Sequence, residues 1–107
     1  MIEFSYQTNY ILEKSTEVAV WISGIIISEG CVEGEINYVF CDDEYLLKLN
    51  KEFLDHDTLT DIISFDYSLG KELHGEIYIS IDRVRENAVN FEVGFEQELH
   101  RVIIHGI

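Results

Sequence analysis

Proline is absent from this 107-residue chain. No break in it can be a proline stop, so turns and helix ends must come from Gly and from Asp, Asn or Ser caps. Cysteine is scarce. Cys31 and Cys41 fit neither a CxxC metal pattern nor a dense disulfide framework, and they read as reduced thiols in a cytosolic protein. Basic residues are few, 7 against 21 acidic ones, for a net charge of −14. That excludes a nonspecific binder of duplex DNA or anionic membrane, because phosphate contacts need Lys and Arg. It leaves room for a local basic patch or a metal-centred phosphate site. Most of the acid is accounted for by solubility. No apolar run reaches membrane-spanning length, and Met1–Tyr10 has no signal-peptide core. A P-loop, a GxGxxG turn, a Ser nucleophile elbow and a Cys–His dyad are missing too.

What is present is enough for one domain, 1–107, with a core built from a hydrophobic content of 47%. Ile2–Tyr6 alternates as a short strand. Ser15 or Thr16 is placed to cap a helix carrying Val18, Trp21, Ile22, Ile25 and Ile26, with Trp21 a core residue and Gly30 the stop. Gly34–Phe40 is a strand with Ile36, Tyr38 and Phe40 on one face. Asp42 or Asp43 caps a helix with the stripe Tyr45, Leu46, Leu49, Asn50 and Phe53. That helix breaks near Asp55-His56-Asp57. Asp61–Tyr67 and Gly75–Ser80 are strands, joined at Leu69-Gly70-Lys71 as an antiparallel hairpin. Asp82 opens a helix through Val84, Ala88 and Phe91, and a last helix follows Gly94. The order β-α-β-α-β-β-α-α predicts an α+β fold with one mixed four-stranded sheet packed with helices.

The closing stretch Glu98–Ile107 is the most informative. Leu99, Val102, Ile103 and Gly106 share a helix face, and His105 sits beside it. No polar cap follows, so the helix reads as unfinished, with chain missing that bears on function. Elsewhere the histidines are less telling. His100 and His105 stand about 140° apart around a helix and do not converge. His56-Asp57 reads either as a loop contact or as a metal-binding pair lacking further ligands. Thr60-Asp61 precedes a strand, where Asp61 either fixes the turn or orients a ligand or catalytic group. Arg83 and Arg85, two apart on a helix, make no tight phosphate clamp.

Several stretches in order resemble the YbeY family of endoribonuclease-like rRNA maturation factors. They are Phe40–Leu46, Leu49–Leu54, Thr60-Asp61-Ile62-Ile63-Ser64-Phe65 for the family's TDVLSF, Gly75-Glu76-Ile77 for its GDI, and Val102–Gly106 for the opening of its HGxLHLxGYDH signature. The resemblance implies a zinc-dependent, single-strand-specific endoribonuclease of 16S rRNA maturation and ribosome quality control. Its partners would be single-stranded rRNA and ribosomal proteins or a ribosome-associated GTPase, in the cytoplasm and away from membrane. It makes His105 the first of three zinc-binding imidazoles and gives Thr60, Asp61, Ser64 and Glu76 roles in shaping or orienting the site. The other two ligands of the signature have no counterpart here, so the chain is expected to be inactive by itself. Three departures stand out: Leu54 replaces a common Arg, Leu59 a frequent Pro, and Glu76 an Asp. A non-catalytic module that docks on a ribosomal protein or a GTPase is the alternative, and the acidic charge suits a basic protein partner.

Overall fold

A computed structural model describes residues 1–53 and 60–107. The helix break near Asp55–Asp57, the His56-Asp57 pair and the departures at Leu54 and Leu59 lie outside the described residues. Four strands, β1 (Ile2–Tyr6), β2 (Val32–Cys41), β3 (Ile62–Asp66) and β4 (Glu72–Ser80), alternate with four helices, α1 (Ser15–Ser28), α2 (Asp43–Phe53), α3 (Ile81–Asn90) and α4 (Phe95–His105). The chain order is the one the sequence predicts. The sheet order is β1-β2-β4-β3. β1 runs parallel to β2, with Phe4 opposite Tyr38. β2 runs parallel to β4, with Ile36 opposite Gly75, and β3 is antiparallel to β4, with Ser64 opposite Ile77.

Strand alternation divides the residues between two faces. Ile36, Tyr38, Phe40, Ile77 and Ile79 point to one side and pack with Ile22 and Ile26 of α1, Val84 of α3, and Leu99, Val102 and Ile103 of α4. Cys41, Ile63, Phe65 and Tyr78 point to the other side, where they meet Tyr45, Leu46 and Leu49 of α2. Both cysteines are free, and burial followed by nearby Asp42, Asp43 and Asp82 pushes the Cys41 thiol up to about 12.

Helix ends correct parts of the sequence reading. Neither Ser15 nor Thr16 caps α1. Lys14 holds that position in a left-handed conformation (φ 54°) with no side-chain cap, and Ser15 is the first helical residue. Asp42 caps α2 by accepting from the Tyr45 N–H at 2.8 Å. Asp43 instead accepts from Ser80 Oγ at 2.8 Å and from Arg83 Nε at 3.0 Å. α3 opens at Ile81, not Asp82, because the Ser80 side chain accepts from the Arg83 N–H. Trp21 is not a core residue. It is 40% exposed and lies against the His100 ring, with centroids 5.2 Å apart. α1 is apolar nearly all round, and the row Val18, Ile22, Ile26 takes the inward face, which leaves Trp21 at its edge. Phe53 and Phe91 also end up exposed, each at the end of its helix.

Candidate functional site

The last helix is fixed from three sides. Leu99, Val102 and Ile103 are buried. Tyr38 Oη donates to the Ile103 carbonyl at 3.2 Å. Gly106 then brings the end of α4 down on the sheet: a Cβ there would lie 3.0 Å from both Ile62 Cδ1 and Ile77 Cγ2. His105 is exposed at this end, with no ion pair or hydrogen bond from its ring among the described residues. The exposed imidazole therefore sits on a rigid support rather than on a loop.

The structure brings two of the sequence-predicted residues, Asp61 and Ser64, to this helix or its end, with Thr60 just before them in the chain. Thr60 Oγ1 donates to the Ile62 carbonyl at 3.3 Å and so shapes the entry to β3. The Asp61 carbonyl accepts from the Ser80 N–H at 3.0 Å, and its carboxylate lies 3.6 Å from Arg101 Nη2, one helical turn before His105. Ser64 is exposed on the α4 side of the sheet. With Ile77, Gly75, Gly106 and Ile107 it lines a cavity of about 150 Å³. Glu76 does not join them. Its neighbour Ile77 faces α4, so Glu76 faces the opposite side, where it accepts from Tyr78 Oη at 2.9 Å. Burial, then that bond to Glu76, push the Tyr78 phenol up to about 12. On that face Glu76 shares a groove of about 590 Å³ with Glu3, Glu35, Asn37 and His74.

Sequence reading missed Glu98 and Arg101. Glu98 is 2% exposed, and its carboxylate takes Arg101 Nε at 2.8 Å and Nη2 at 2.7 Å. Asn87 of α3 adds a further bond. The signal was present as an i, i+3 acid–base pair whose basic member lies four residues before His105. The Arg101 guanidinium, opposed by burial, holds the Glu98 carboxyl below the usual carboxylate range. A carboxyl with a lowered folded pKa stabilises the native state above its unfolded value, and that stability is lost as pH falls through the folded one. Acid unfolding followed by circular dichroism should thus steepen below about pH 4.5. Glu98→Gln should flatten that slope, and an unchanged slope would remove Glu98 from the acid response.

No three His, Cys, Asp or Glu side chains come together as a metal-binding group among the described residues. His100 faces Trp21 and lies 3.8 Å from Glu96. At the end of α4 the described residues thus supply one imidazole, and they do not by themselves compose a metal site there.

The family model for Endoribonuclease YbeY matches residues 3–107. The chain belongs to the YbeY family. It is 60% identical over all of its 107 residues to the endoribonuclease YbeY of Flavobacterium psychrophilum, of which it covers 76%. Over 88% of its length it is 49% identical to the YbeY of Bacteroides thetaiotaomicron, of which it covers 69%. The solution structure of TM1509 from Thermotoga maritima has the same fold, with a TM-score of 0.71 at 29% identity over 99% of this chain and 69% of that one. The YbeY match runs through His105 and through the Thr60–Phe65 and Gly75–Ile77 segments. No helix among the described residues is long and apolar enough to cross a membrane.

Proposed function

We propose that this protein is a hydrolytic endoribonuclease that cuts single-stranded RNA in the cytoplasm, acting in 16S rRNA maturation and ribosome quality control. The observation that carries the reading is a match to endoribonucleases that extends through His105. The placement of that residue agrees: an exposed imidazole at the end of a helix seated on the sheet, next in the chain to Gly106, which lines one cavity with the exposed Ser64. In this reading His105 is one zinc ligand. Zinc with three protein ligands and an open position supplies a water of lowered pKa and polarises a phosphate. The chain's own part is to seat the end of α4, next to the imidazole, on β3 and β4 through Gly106 and to hold Asp61 beside the same helix through Arg101. Glu76 acts on the sheet's other face, by fixing Tyr78 rather than by touching the reacting phosphate.

The net charge of −14 favours a second reading, a non-catalytic module that docks on a basic ribosomal protein or a GTPase. Two measurements separate them. The natural gene product containing this chain should cleave a single-stranded RNA and spare the same sequence in duplex form. It should also carry about one zinc per molecule by metal analysis. Metal-free protein that leaves single strands intact would favour the docking module. The 107-residue chain itself, titrated with zinc in a calorimeter, should show only weak binding, since among the described residues no three ligating side chains come together around His105. A tight stoichiometric inflection would show that it holds further ligands.

A further inference from the structure

We infer that Arg101 is a positioning residue, a strut that fixes the helix bearing His105 against the start of the strand bearing Ser64. The inference rests on the endoribonuclease reading and deepens it.

The contacts around Arg101 close into a ring. Asn87 of α3 bonds Glu98 of α4. Glu98 grips Arg101 through two nitrogens at 2.8 and 2.7 Å. Arg101 reaches the Asp61 carboxylate at 3.6 Å. The Asp61 carbonyl takes the Ser80 N–H at 3.0 Å, and Ser80 caps α3. Each of the three elements α3, α4 and β3 is therefore tied to the other two by polar contacts that the apolar core does not make. Phe91, just past α3, lies beneath the same guanidinium at 6.0 Å.

Two other roles for Arg101 fit less well. As a source of stability its pair with Asp61 is weak, because the Arg101 side chain is 51% exposed and exposed ion pairs contribute little. As a phosphate contact it is poorly placed, because Glu98 and Asp61 already neutralise it and leave the group net negative. What the geometry does favour is orientation. A planar guanidinium held at two points by a buried carboxylate has lost its freedom before it meets Asp61. It can therefore hold α4 and β3 in one relative position, whereas a mobile ion pair could not.

The test compares Arg101→Met, Arg101→Lys and Asp61→Asn. In the 107-residue chain, amide hydrogen exchange should speed up by about tenfold together at Ile62–Ser64 and Ile103–His105 in R101M and D61N, with β1 and β2 unchanged. The double variant should be no worse than either single one, and R101K should recover part of the protection. Additive effects, or loss of protection spread evenly over the sheet, would overturn the strut. In the natural gene product, R101M should lower kcat on single-stranded RNA by about tenfold with KM within about twofold. A rise in KM with kcat preserved would overturn the positioning role and make Arg101 a substrate contact. Should the wild-type gene product cleave no RNA, the endoribonuclease reading falls, and the exchange measurements still decide whether Arg101 couples the two elements.

Discussion

If His105 is the zinc ligand proposed above, replacing it by alanine in the natural gene product is expected to prevent zinc binding and to abolish RNA cleavage while leaving the fold in place. The fold should survive because the imidazole is exposed and contributes nothing to the core. α4 is held by Leu99, Val102 and Ile103, by the Tyr38 bond to the Ile103 carbonyl and by the seating of Gly106. Alanine also favours the helix at that position. Function should not survive, because the exposed imidazole at this end is the ligand that the proposed site takes from this chain. The loss in cleavage is expected to be on the order of 100-fold or more, larger than for an outer-shell partner. Metal analysis, a single-stranded cleavage assay and a thermal melt on one preparation check it. Retained zinc with normal cleavage would place the ligand elsewhere. A melt lowered in parallel with activity would make His105 structural.

The second large effect lies in the sheet. Gly75 sits in β4 between β2 and β3, and a Cβ there would come 2.6 Å from the Phe65 carbonyl oxygen. That neighbour is backbone in a paired strand, so it cannot swing aside as a side chain would. Gly75→Ala is expected to destabilise by about 3 kcal/mol and to lower Tm by about 10 °C or more. Gly24 in α1 is the control. A Cβ there meets nothing within 4 Å, so Gly24→Ala should stabilise by about 0.5–1 kcal/mol. Urea unfolding of the two variants against the parent measures both. Equal stability of G75A and the parent would mean that β3 and β4 yield more than their pairing suggests.

Much of the architecture was legible because its signals are local. The alternation of Ile36, Tyr38 and Phe40 fixed a buried face, and Gly30, with its φ of 75°, ended α1 where the sequence placed it. The inward row of α1 was not legible, since a helix apolar all round carries no periodic contrast, and Trp21 was misplaced for that reason. Helix starts were ambiguous where two capping residues stood together or where Ser80 belonged to both a strand and a cap. At the site, the motif resemblance grouped Ser64 with Glu76, although the pleat sends them to opposite faces of the sheet. Arg101 was missed because its partner Asp61 lies forty residues back in the chain (Asp61 against Arg101), and such a contact exists only once the fold brings β3 beside α4.

The sheet order also bears on how the chain reaches this structure. The central pairing joins Ile36 to Gly75 and Cys41 to Ser80, so β2 cannot be enclosed until α2 and the β3–β4 hairpin have been formed. Loop closure over such separations makes folding slow relative to a helical bundle, and β2 must wait with one edge open to pairing by other chains. With no proline in the sequence, peptide isomerisation adds no slow phase, and strand assembly alone sets the pace.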